Sequence, residues 1–145
     1  MDPQQRLLLE VSWELLHPTQ APAGEVGVYV GIQQMEYGGL AAPLLQSIGP
    51  FSATGGSFSV AAGRLSFLYA FKGPAISIDT ACSSALVATH MGLRQVQANP
   101  GQAALTAGVN LLLSEATTAA THAAGMLTME GRCKALDQAA DGYVR

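Results

Sequence analysis

Charge is scarce in this chain. Only 12% of its 145 residues are Asp, Glu, Lys or Arg, against about a quarter in an ordinary globular domain, and the formal net charge is -3. That balance leaves no basic footprint for nucleic acid. Long apolar runs are missing too, since no stretch reaches the roughly 18 residues a membrane span requires. The opening Met1 to Arg6 is polar and the Leu7-Leu8-Leu9 run is broken at once by Glu10, so no signal peptide is read there. Two cysteines are too few for a disulfide framework, and free thiols in a cytoplasmic protein are the expected state. No zinc pattern, Gly-rich phosphate loop or nucleotide fingerprint occurs, so no metal and no directly bound cofactor is expected. What is plentiful is apolar: 49% of the residues are hydrophobic, more than a domain of this size needs to fill its own interior, and something else is expected to pack on it.

One stretch organises the rest. In Ala75-Ile76-Ser77-Ile78-Asp79-Thr80-Ala81-Cys82-Ser83-Ser84-Ala85-Leu86 an alternating apolar run ends on a cysteine that opens a small-residue helix. A thiol at such a turn lies near the first unpaired N–H groups of the helix, which favour thiolate and can donate to an oxyanion formed beside it. A lone cysteine in an apolar sequence is ordinarily an inert buried residue. Here the small neighbours Ala81, Ser83, Ser84 and Ala85 would let a substrate carbonyl come close, which moves the reading of Cys82 toward a nucleophile.

The segment Asp79-Thr80-Ala81-Cys82-Ser83-Ser84-Ala85-Leu86 resembles the active-site signature of β-ketoacyl synthases, the condensing enzymes of polyketide and fatty-acid synthesis. Further blocks are similar to that family, in family order: Met1-Asp2-Pro3-Gln4-Gln5-Arg6, Ala62-Gly63-Arg64-Leu65-Ser66, Lys72-Gly73-Pro74, Gly108-Val109-Asn110, and Gly131-Arg132-Cys133-Lys134 followed by Ala140-Asp141-Gly142-Tyr143-Val144-Arg145. Several ordered blocks are specific where any one alone is weak. The first and last blocks look more like polyketide synthases than stand-alone fatty-acid enzymes. The resemblance implies a thiolase-like α/β fold with layered αβαβα architecture and a mostly parallel sheet. It also implies acylation of Cys82 from a phosphopantetheine-borne thioester, then decarboxylative condensation with a malonyl-type extender. An acyl carrier protein and a second copy of the domain, as a homodimer, are the implied partners.

Departures from the family pattern are few. Ala85 stands where a third serine is commoner, and Ala107 where a glycine often precedes the Gly-Val-Asn block. The family's two catalytic histidines lie in motifs beyond the block ending at Arg145, and the chain starts at a block that is internal in the family. Residues 1–145 are therefore read as a partial ketosynthase domain, its N-terminal half without the first strand, and as inactive in condensation on their own. A non-elongating acyltransferase and an inactive partner with the same fold remain open alternatives.

In chain order, Asp2 is expected to cap a helix with Pro3 at its first position and Gln5 reaching back in a capping box. Leu7, Leu8, Val11 and Leu15 share one face of that helix, which ends at His17-Pro18. Pro18 to Gly24 reads as loop, Val26 to Ile32 as a buried strand, and Gln33 to Gly56 as irregular. A helix from Ser57 to Tyr69, a strand Ala75 to Thr80, a helix from Cys82 to the breaker Asn99-Pro100-Gly101 and a strand Leu105 to Leu113 follow. The form of Glu115 to Gly125 stays open. The helix after Cys82, apolar on nearly all sides, is expected to be buried on nearly all sides. The alternation of strands and helices implies a mostly parallel sheet.

No base for Cys82 is evident within the chain. His90 lies eight residues along the helix, about 12 Å away at ~1.5 Å per residue. His17 reads as a solvated helix-end residue, and His122 fits neither family histidine motif. Cys133, flanked by Arg132 and Lys134, is a rival thiol but no helix start follows it, and it reads as a packed loop residue. Asp79 is read as a buried structural carboxylate, with Arg64 a possible partner. Ser83 and Ser84 read as helix-start hydrogen bonders, and Asp137, Asp141 and Arg145 as a structural polar cluster.

Overall fold

The computed structural model describes residues 1–19, 24–33, 36–42 and 49–145. They fall into two compact units, Met1–Leu111 and Leu112–Arg145.

The first unit is built on a three-stranded parallel sheet whose order is β2 (Ala75–Ile78), β1 (Val26–Ile32), β3 (Ala103–Val109). Its central strand, β1, is buried at every residue, as an uncharged run between Glu25 and Gln33 implies for a strand covered on both faces. The strand's own alternation sets what covers each side. Val26, Val28, Val30 and Ile32 join the core formed with Leu8 of α1 (Pro3–Leu16) and Ala61, Ala62 and Leu65 of α4 (Phe58–Leu68). Gly27, Tyr29 and Gly31 point the other way, toward α5 (Ser84–Ala98): a Cβ at Gly27 would strike the Gln95 side chain, one at Gly31 the Ser84-Ala85 backbone, and the Tyr29 hydroxyl donates to Gln95 Oε1 at 2.9 Å. Burial pushes the Tyr29 phenol up. Strand β3 (Ala103–Val109) repeats the division, with Leu105 in the core and Ala104 and Thr106 against Gly92 of α5.

The small residues explain why α5 is not buried all round, contrary to expectation. Its inward stripe is Ser84, Ala88 and Gly92, while Leu86, Leu93 and Val96 are exposed. Close approach to the sheet is made by the residues with least side chain, so the large ones are left facing outward. Helix α1 shows the same split: of its apolar face Leu8 is buried and Leu7, Val11 and Leu15 are exposed.

The cap on α1 is as expected, with Pro3 at the first position and Asp2 Oδ1 accepting from Gln4 N at 2.8 Å. The capping box is not formed. Gln5 Nε2 donates instead to Ser57 O (3.1 Å) and Thr54 O (3.4 Å), and its Oε1 accepts from Arg64 Nε at 3.0 Å. Tertiary partners in reach outcompete the local one. The Asp2 N–H reaches Gly55 O, and buried Gln4 accepts from Leu111 N through Oε1 at 3.3 Å. The Asp-Pro-Gln-Gln block is thus a staple joining α1 to the turn before α4 and to the chain leaving β3. Gln4→Leu should lower global stability by about 1–3 kcal/mol, the cost of a buried N–H losing its acceptor. Denaturant titration of the protein in the longest form its gene encodes measures it; unchanged stability would show that Leu111 N needs no partner there.

Strand β2 (Ala75–Ile78) and the turn after it replace a strand to Thr80. Strand β3 ends at Val109 and not at Leu113, because Val109 pairs with Ile32, the last residue of β1. The segment expected to be irregular holds two short helices, α2 (Glu36–Ala41) and α3 (Ser52–Gly56); its residues 34–35 and 43–48, and most of the Pro18 to Gly24 loop, lie outside the described residues. In the second unit the open segment is a helix, α6 (Glu115–Ala123), capped by Ser114 Oγ accepting from Ala116 N at 3.2 Å.

Candidate active site

Cys82 does not open α5 but sits two residues ahead of it, in a turn bound by its own neighbours. Ser84 Oγ accepts from Thr80 N (2.8 Å) and donates to Ala81 O (2.7 Å), while Ser83 Oγ donates to Thr80 O (2.8 Å). The two serines are hydrogen bonders, as read, and their bonds delay the helix. Ala81, just before the cysteine, has φ 55, a left-handed conformation that costs a non-glycine residue free energy and recurs at functional turns. The turn therefore holds Cys82 outward. The thiol is exposed and free and lines an open depression of about 320 Å³ with Gly31, Gln33, Ala85, Gly108 and Asn110 among its walls. None of these turn hydrogen bonds uses the Cys82 N–H, and α5 directs the positive end of its dipole toward the turn.

Asp79 is not buried and does not pair with Arg64. Its Oδ1 accepts from Ala81 N at 2.9 Å, closing a local turn in water; Arg64 is taken up by Gln5 and by Thr54 O at 3.3 Å. His90 is exposed on α5, and His17 packs at a tilt against Trp13 with ring centroids 4.7 Å apart. None of these bonds brings a histidine to Cys82.

In the second unit Cys133 is exposed, not packed, and its Sγ accepts from Val144 N at 3.3 Å. Its neighbour Lys134 pairs with Glu130 at 3.0 Å and Asp141 at 3.2 Å. The hydrogen bond to Glu130 leads in raising the Lys134 ammonium, and those from Thr128 and then Lys134 hold Asp141 below the usual carboxylate range. Of the expected cluster of Asp137, Asp141 and Arg145, Asp141 pairs with Lys134, Asp137 Oδ1 accepts from Ala139 N at 2.8 Å and Arg145 Nη1 donates to Thr121 Oγ1 at 3.1 Å. His122, on α6, lines a separate apolar cavity within this unit. Among the described residues no group of three or more His, Cys, Asp or Glu converges on a metal position.

Of the depression's glycine walls, Gly108 stands in the Gly-Val-Asn block quoted from the sequence, whereas Gly31 is not singled out there. Isolated glycines in a strand pattern, as in Val-Gly-Val-Tyr-Val-Gly-Ile, signal close approach of another backbone, and that signal was present at Gly31.

Residues 1–145 match the family model described as Beta-ketoacyl synthase, N-terminal domain, and the chain belongs to that family. To a mycocerosic acid synthase-like polyketide synthase of Mycolicibacterium smegmatis it is 45% identical over 99% of its length, spanning 7% of that protein. To a phthioceranic/hydroxyphthioceranic acid synthase of Mycobacterium bovis it is likewise 45% identical over 99% of its length, again spanning 7% of the longer chain. Among solved structures, the ketosynthase from module 6 of the bacillaene synthase of Bacillus subtilis 168 superposes with a TM-score of 0.80 at 38% identity, over 99% of this chain and 25% of that one. The expected thiolase-like fold and the likeness to polyketide synthases both hold. No helix among the described residues is long and apolar enough to cross a membrane.

Proposed function

We propose that these residues are the acyl-accepting part of a polyketide ketosynthase and that Cys82 is its nucleophile. The observation that carries this is the exposed thiol held on a left-handed turn over an open depression at the head of α5. In the first step the Cys82 sulfur attacks the thioester carbonyl of an acyl group on a carrier protein's phosphopantetheine arm. A sulfur–carbon bond forms, the carbonyl π electrons move to oxygen, and the Cys82 N–H is the proposed donor to that oxyanion. Collapse breaks the bond to the phosphopantetheine sulfur, which leaves as thiolate and takes up the proton lost from Cys82. In the second step a malonyl-type extender loses carbon dioxide and its carbanion attacks acyl-Cys82, releasing the thiolate. No general acid or base for that step lines the depression among the described residues, and we assign those groups to other parts of the parent domain. In this reading residues 1–145 are one portion of a larger cytoplasmic domain that acts with an acyl carrier protein and pairs as a homodimer. No metal or directly bound cofactor is assigned.

The test is acyl loading. The protein, in the longest form its gene encodes, is incubated with an acyl N-acetylcysteamine thioester and digested, and the adduct is mapped by mass. The acyl group is expected on Cys82 in preference to Cys133. Preferential acylation of Cys133 would falsify the assignment.

A further inference from the structure

Gly31 and Gly108 are cross-strand partners at the ends of β1 and β3, and both present their bare side to Ala85, on the first turn of α5. A Cβ on Gly31 would lie 2.5 Å from Ala85 N and 2.6 Å from Ser84 C; one on Gly108 would lie 2.6 Å from Ala85 Cβ. Neither distance is tolerable between heavy atoms, so a side chain at either position forces a displacement. The two glycines therefore form a notch against which the start of α5 rests, and Gly31, Gly108, Ala85 and Cys82 all line the same depression. Cys82 is three residues from Ala85, tied to it through the Thr80-Ser84 and Ala81-Ser84 hydrogen bonds. We infer that this notch is a positioning device for Cys82: Gly31 and Gly108 set how deep the first turn of α5 sits, and so where the sulfur stands in the depression. Residue 85 is the size-limited key. The inference rests on the proposed reading of Cys82 as the acyl acceptor.

The two contacts differ in kind, and that makes the inference testable. At Gly108 the clash is with a side chain, while the Ala85 Cα is at an ordinary 3.6 Å. At Gly31 it is with backbone. Gly108→Ala should slow acyl loading of Cys82 by about 10–100-fold, the effect of misplacing a reacting atom by about an ångström. Adding Ala85→Gly should restore loading to within about threefold, because it removes the methyl that Gly108→Ala strikes. Gly31→Ala should be slowed as much and should not be rescued by Ala85→Gly. Gly73→Ala, which strikes Val26 O at 2.6 Å at the start of β1, is the control: it should lower the melting temperature yet leave the loading rate, measured well below the melt, unchanged.

Loading is followed with the same acyl N-acetylcysteamine thioester on the protein in the longest form its gene encodes, alongside thermal melts. If Gly108→Ala melts lower but loads at the unaltered rate, or if Ala85→Gly fails to rescue it, the notch is only structural and the inference falls. Should Gly108→Ala not accumulate as soluble protein, the double variant carries the test, and a soluble double variant that loads tenfold slower overturns the inference. An unsubstituted protein that does not load Cys82 at all sinks the proposed function instead, so the two failures are told apart.

Discussion

Cys82→Ala should abolish acyl loading and, with it, condensation. No other group among the described residues lining the depression can form the covalent intermediate: its remaining walls are glycine, alanine, isoleucine, valine, the amides Gln33 and Asn110, and Ser84, whose hydroxyl is spent within the turn. Removal of a nucleophile leaves only what binding and oxyanion stabilisation supply, and the expected loss is about a thousandfold or more in turnover. Cys133→Ala should stay within about twofold, since its sulfur serves as acceptor for the Val144 N–H. Loading is measured by intact mass, and product formation with acyl and malonyl carrier proteins. A Cys82→Ala protein that still forms the extended product would move the chemistry away from this turn. A protein that loads normally but never extends would instead favour a non-elongating acyltransferase.

Where the sequence was legible and where it was not follows from how far each signal reaches. Strand β1 could be bounded to the residue because a strand covered on both faces leaves a run free of charged and amide side chains, here closed by Glu25 and Gln33. Its neighbour β3 was overrun to Leu113, because nothing in Leu111-Leu112-Leu113 records that the partner strand stops at Ile32. Cys82 was legible through the residues around it, but the start of α5 came two residues late, since the hydroxyls of Ser83 and Ser84 bind backward to Thr80 and Ala81 before the helix ladder begins. Hydrophobicity misassigned the faces of α5. Leu86 and Leu93 look like core residues by composition, whereas Ala88 and Gly92 take the inward positions because the sheet beneath offers glycine, alanine and threonine at close range. Gln5 was a plausible capping partner in isolation, and only the fold brings Thr54, Ser57 and Arg64 within its reach.

The outward side chains lead to the second large effect. Expressed alone, residues 1–145 should aggregate or remain molten. More large hydrophobic side chains among the described residues are exposed than buried, with Phe67 at 88%, Phe51 at 79%, Leu86 at 73% and Leu93 at 52% exposure. Burying one such side chain fully is worth about 1.5–3 kcal/mol, so these four, scaled by their exposure, forgo about 4–9 kcal/mol, comparable to the whole margin of an ordinary domain. Low overall charge removes the repulsion that would otherwise keep such surfaces apart. The isolated chain should bind a hydrophobic dye strongly, show helical far-UV but little near-UV circular dichroism, and melt without a sharp transition. The same residues within the longest form the gene encodes should melt cooperatively. If the isolated chain melts sharply, binds no dye and also forms extended product from acyl and malonyl carrier proteins, then its exposed apolar faces need no cover and these residues are a self-sufficient catalyst.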